Sequence, residues 1–122
     1  MKKEIQTGAA VIGPYSVGIE HGNMLYTSGQ LGFDASGNMV SEDVREQAVQ
    51  VMENLKTILT SAGYTFDHAV KCLIFLTDLA DFATVNTVYE SYLAKPYPAR
   101  SCVQVAALPK GGKVEIELVA IK

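Results

Sequence analysis

Ala69-Val70-Lys71-Cys72-Leu73-Ile74-Phe75-Leu76 is the stretch whose reading decides the fold. One lysine interrupts an otherwise apolar run. Eight residues bounded by polar sequence are the length of a strand, and such a run predicts a strand buried on both faces. A helical pattern flanks it on each side. Upstream, Val44, Ala48, Val51, Met52, Leu55, Ile58, Leu59 and Ala62 recur at the spacing of one helix face. Ser41 and Asp43 supply acceptors near its start, and Gly63 stands where a helix C-cap is wanted. Downstream, Phe82, Val85, Val88, Tyr89 and Tyr92 predict a second helix over Phe82–Leu93. Asp81 is its N-cap, and Pro96 and Pro98 stop it.

Working outward, Lys3–Gln6 reads as a short first strand and Gly13-Pro14-Tyr15 as a turn. Val17–Glu20 and Met24–Ser28 are strands joined by the turn His21-Gly22-Asn23. Gly29, Gly32 and Gly37 mark an irregular stretch. Two further apolar strands follow Pro98 and Lys113. The order is strands, helix, strand, helix, two strands. It predicts an α+β domain with two helices on one face of a mixed sheet. Residues 1–122 are the length of a single domain. No third helix exists to cover the second sheet face, so the pattern predicts a homo-oligomer that buries it between subunits.

Composition narrows the function. A net charge of −3, with scattered lysines, argues against nucleic acid or an anionic membrane surface as partner. No apolar run is long enough to span a bilayer. Met1-Lys2-Lys3-Glu4-Ile5 has charge but no apolar region of the signal-peptide kind. Cys72 and Cys102 lie inside apolar runs, where reduced, buried thiols are the ordinary reading; a cytoplasmic, reducing compartment is expected.

The last quarter carries the candidate chemistry. Arg100 follows Pro98-Ala99 at the start of an apolar strand, with Cys102 and Gln104 on its face by alternation. Most arginines sit in surface ion pairs. One held on a strand can grip a carboxylate with its planar fork. Glu115 and Glu117 share one face of the last strand, opposite Val114, Ile116 and Leu118. Such a pair is ordinarily a solvated face; a glutamate there can also hold or deprotonate a water. Were the last two strands a plain hairpin through Pro109–Gly112, Arg100 and Glu115 would lie about 20 Å apart along it. A shared site then needs another strand order or a neighbouring subunit. Ser28 and Gly29 end a strand and offer a hydroxyl and an open N–H, or plain turn chemistry. Tyr15 is a pocket wall or a partly buried aromatic, and Asn86 is a poor helix former on the second helix. No metal-ligand spacing, phosphate loop or nucleophile elbow is present.

These pieces together resemble the Rid (YjgF) family, and within it the RidA subgroup. The resemblance runs through Gly13-Pro14-Tyr15-Ser16, Thr27-Ser28-Gly29-Gln30, Asn54-Leu55, Ala62-Gly63, Val70-Lys71, Asp81-Phe82-Ala83-Thr84-Val85-Asn86 with Tyr89, Pro98-Ala99-Arg100-Ser101-Cys102, Leu108-Pro109 and Val114-Glu115-Ile116-Glu117. It implies a chorismate-mutase-like α+β fold, a six-stranded mixed sheet with two helices on one face, assembled as a homotrimeric barrel with sites between subunits. It also implies hydrolysis of 2-imino acids, such as 2-iminobutanoate and 2-iminopropanoate, to 2-keto acids and ammonia, with no cofactor or metal. By position, Arg100 matches the carboxylate-binding arginine and Glu115 the residue that orients the attacking water. Tyr15, Ser28, Gly29, Asn86 and Cys102 match pocket residues. Val17-Gly18 departs from the usual Gln-Ala or Gln-Gly, and the Tyr92–Pro98 connection is shorter than in many members. Both bear on substrate breadth. The alternative is a regulatory protein that binds a 2-keto acid or amino acid in the same cleft without turnover. RNA cleavage and a holdase role are further attributes of relatives; the acidic balance weighs against the first.

Overall fold

In the computed structural model, which describes residues 1–122, the apolar octapeptide is one strand of a six-stranded sheet. The elements in chain order are β1 (Lys3–Ile5), β2 (Gly18–His21), β3 (Met24–Thr27), α1 (Val44–Ala62), β4 (Ala69–Leu76), α2 (Phe82–Ser91), β5 (Ala99–Gln104) and β6 (Val114–Ile121). Single 3-10 turns lie at Phe66–His68, Leu79–Asp81 and Pro109–Gly111.

The sheet order is β1-β2-β3-β6-β4-β5. Only β4 and β5 run parallel, which the α2 crossover between them requires. The final strand therefore does not fold back on β5 as a hairpin. It inserts between β3 and β4, antiparallel to both, with Tyr26 opposite Val119 and Phe75 opposite Glu115. A 3-10 turn at Pro109–Gly111, with Lys110 at φ 52°, helps carry the chain across.

Asp43 caps α1 by accepting from the Arg45 N–H, and Gly63 closes it at φ 82°, donating to Leu59 and Thr60 carbonyls. That left-handed position suits glycine because a Cβ there crowds the carbonyl. Asp81 sits at the expected N-terminus of α2 but caps nothing with its side chain. Asp78 caps the preceding 3-10 turn instead, accepting from Ala80 N–H. The helix ends at Ser91 rather than Leu93, because Tyr92 and Leu93 turn onto the Tyr89 and Glu90 carbonyls in a tighter i→i+3 pattern.

Both helices pack on the face carrying Leu25, Cys72, Ile74, Leu76, Val114, Ile116, Leu118 and Ala120, all buried. Leu55, Ile58 and Leu59 of α1 and Val85 and Val88 of α2 close the core. Each such side chain contributes about 1.5–3 kcal/mol by leaving water. The strand expected to be buried on both faces is buried on one. In β4, Cys72, Ile74 and Leu76 are covered while Lys71, Leu73 and Phe75 are half-exposed. Tyr26 and Val103, 46% and 45% exposed, extend this uncovered apolar face.

Candidate active site

Alternation along β6 sends Val114, Ile116 and Leu118 into the core, and Glu115 and Glu117 to the uncovered face. Glu115 is half-buried there, against the turn that follows β3. Gln30 N–H donates to the Ile116 carbonyl at 2.8 Å, and Ile116 N–H donates back to Gln30 at 3.1 Å. This bridge clamps the Ser28-Gly29 turn onto Glu115. Gly29 has no side chain for a reason of space: a Cβ there would lie 2.7 Å from the Glu115 carboxyl carbon. Ser28 fixes the turn from the other side, donating from Oγ to the Ser16 carbonyl at 2.5 Å and from its N–H to Val17.

Burial raises the Glu115 pKa, and the negative charge of Glu117 two residues along the same face raises it further. A carboxyl whose pKa is raised accepts a proton more readily. Tyr15, Ser28, Gly29 and Glu115 all line one cleft of about 910 Å³, with Tyr15 49% exposed. Lys110 also lines this cleft, and its ammonium lies 5.5 Å from the Phe33 ring centre.

Arg100 stands elsewhere. It is on the edge strand β5 and pairs with Cys72, whose side chain enters the core, so the Arg100 side chain leaves on the helix side of the sheet. Its Nη1 donates to the Asn86 Oδ1 of α2 at 2.5 Å. A hollow of about 420 Å³ beside it is lined by Asn86, Tyr89, Glu90, Tyr97, Pro98 and Arg100. Cys102 lies two residues on and faces the same side, half-buried against the core. Burial raises its thiol pKa, only partly opposed by Arg100, which favours the neutral thiol over the thiolate.

The candidate residues thus fall into two groups. Tyr15, Ser28, Gly29 and Glu115 form one; Asn86, Arg100 and Cys102 form the other. Arg100 pairs with Cys72, and Cys72 with Leu118, three residues from Glu115. The two charges are therefore separated by about 10 Å along the strands and about 10 Å across them, on opposite faces. A four-carbon acid cannot touch both within one chain. No group of three or more His, Cys, Asp or Glu residues is placed to hold a metal ion, and no helix is long and apolar enough to cross a membrane.

Two contributors were given no role in the sequence reading, although Asn54 stands in a matched motif. Asn54 of α1 donates to the Leu31 and Phe33 carbonyls at 3.1 and 2.9 Å, anchoring the loop after Gly29. Gln47, 1% exposed, donates to the Ser41 carbonyl and accepts from Lys113 N–H, anchoring the approach to β6. Two amides at i and i+7 beside an apolar helix stripe were the available signal.

Known proteins resemble this chain over nearly its whole length. The family model described as Endoribonuclease L-PSP matches residues 6–122. Protein DfrA of Myxococcus xanthus is 53% identical over 90% of this chain and 86% of its own. The 2-iminobutanoate/2-iminopropanoate deaminase of Bos taurus is 47% identical, covering 100% of this chain and 91% of the relative. The crystal structure of RidA from the Antarctic bacterium Psychrobacter sp. PAMC 21119 superposes with a TM-score of 0.94 at 48% identity, covering 98% and 99% of the two chains. The six-stranded mixed sheet with its two helices is that structure's fold, and the chain belongs to the Rid (YjgF) family.

Proposed function

We propose that the protein is a hydrolytic deaminase that converts 2-imino acids, 2-iminobutanoate and 2-iminopropanoate among them, to 2-keto acids and ammonia. The proposal extends to a homotrimer whose sites each join the Glu115 cleft of one subunit to the Arg100 edge of the next. One observation carries it. The Glu115 group and the Arg100 group sit in one chain, too far apart and on opposite faces, and the apolar sheet face that carries Glu115 is uncovered. A second copy supplies what each group lacks.

The chemistry follows from the residues. Arg100 holds the substrate carboxylate by two parallel hydrogen bonds, which places the imine carbon beside a water. The protonated imine nitrogen makes that carbon electrophilic. Glu115 orients the water and takes its proton as the C–O bond forms. The same carboxyl then returns a proton to nitrogen; as the carbinolamine collapses, ammonia leaves with the C–N electron pair and the hydroxyl proton passes to the Glu115 carboxylate, which gives the keto acid. A raised pKa suits these transfers. Gly29 leaves room for the Glu115 carboxylate, and Cys102 walls the pocket without reacting. The residues present suffice for these steps, so no cofactor or metal is assigned. The bovine relative's name supports the substrate class.

The acidic balance supports a small-molecule substrate rather than nucleic acid. Two free cysteines fit a cytoplasmic location. The test couples purified protein to a threonine dehydratase and follows loss of the imine. Acceleration over the spontaneous rate is the predicted result. Binding of 2-ketobutyrate without acceleration would put the regulatory reading in its place.

A further inference from the structure

Three residues of α2, Phe82, Asn86 and Tyr89, stand at i, i+4 and i+7 and so share one helix face. All three meet Arg100. Its guanidinium carbon lies 5.3 Å from the centre of the Phe82 ring and 5.1 Å from that of Tyr89. Both distances are within cation–π range. Asn86 takes the Nη1 hydrogen bond. An arginine head has five N–H donors in one plane and two faces. Here two aromatic rings and one amide oxygen engage it, and the donors that remain form a free edge.

We propose that Phe82 and Tyr89 are positioning residues for Arg100. With Asn86 they form a guanidinium cradle that presents the free edge of the fork to the substrate carboxylate. The inference rests on the deaminase reading above and deepens it. It assigns Asn86 Oδ1 to the arginine rather than to the substrate. The ring faces carry partial negative charge, which draws the planar cation without offering it a competing acceptor. Tyr89 suits the task because its phenol stays neutral: burial, then the adjacent Cys72, pushes its pKa up. The hydroxyl is buried with no hydrogen-bond partner, and its contact with Cys72 falls short of hydrogen-bond geometry. Its ring, not its oxygen, is what the site uses.

A cradle built by α2 outlives the arginine it holds, and this gives the test. In Arg100→Ala, added guanidinium at millimolar, non-denaturing concentration should restore imine hydrolysis at least tenfold over the unrescued variant, whereas methylammonium should not. In Arg100→Ala/Phe82→Leu the rescue should fall by tenfold or more, with melting temperature unchanged within a few degrees. No rescue of Arg100→Ala, or equal rescue in both variants, would overturn the cradle. A second readout does not depend on turnover. The Arg100 Nε–H resonance should show an aromatic ring-current shift in the wild type that is reduced in Phe82→Leu, where only the Tyr89 ring remains. An unshifted resonance would overturn the cradle as well. Absent hydrolysis by the wild type sinks the deaminase reading instead, and the resonance still decides the cradle.

Discussion

Glu115 is held where its charge is costly. Burial and Glu117 both favour its protonated form in the folded protein. Between its ordinary value of 4.5 and the raised one, the native state binds more protons than the unfolded chain, so stability falls as pH rises through that window. Glu115→Gln should therefore be more stable than wild type at neutral pH and lack that fall, as thermal melts at several pH values will show. Its turnover should drop by roughly 10²-fold, the scale of losing a general base, while 2-ketobutyrate binding persists through Arg100. Glu117 is not a silent neighbour. Its charge props up the Glu115 pKa, so Glu117→Gln should keep most turnover but move the acid limb of the kcat/KM profile to lower pH. An unmoved limb would mean that the two carboxylates do not interact. Arg100→Lys should recover little, since an ammonium offers no planar edge to a carboxylate. Charged hydrogen bonds of about 1.5–3 kcal/mol each set a loss of roughly tenfold to a hundredfold per bond. Near-wild-type turnover in the lysine variant would contradict the fork geometry.

At the scale of elements, the Ser28-Gly29 turn and β6 act as one unit. Gly29→Ala should push the Glu115 carboxylate out of place, since a Cβ would meet it at 2.7 Å. Turnover should fall at least tenfold while the melting temperature changes little; full activity would show that the carboxylate can move without consequence. Gly63→Ala is the converse. It strains the left-handed cap of α1 by about 1–2 kcal/mol, lowering stability with turnover per folded site unchanged. These elements were unevenly legible. Val44–Ala62 and Ala69–Leu76 match the sequence reading because period and caps are local signals. The insertion of β6 between β3 and β4 was not legible. It rests on pairs such as Tyr26 with Val119, more than ninety residues apart, which no local pattern encodes. The roles of Gln47 and Asn54 were missed for a related reason: their amides serve loops distant in sequence.

The whole molecule poses the problem that the residues alone do not. The sequence marked Arg100 and Glu115 and warned that a hairpin could not unite them. Folding removes the hairpin yet leaves them on opposite faces of the sheet. Tyr26, Val70 and Val103 leave apolar surface open beside Glu117 and Phe75, where a partner subunit would bury it. Light scattering at micromolar concentration should therefore give three times the chain mass of 13.1 kDa. A 13.1 kDa species would remove the shared site. The most direct test mixes two inactive proteins. Arg100→Ala keeps an intact Glu115 cleft, and Glu115→Gln keeps an intact Arg100 edge. Unfolded together and refolded as an equal mixture, they should form hybrid trimers in which about one site in four joins two intact halves. Imine hydrolysis should then return to about a quarter of the wild-type rate. Mixed trimers, verified by mass spectrometry, with no more activity than either variant alone would contradict a site built between subunits.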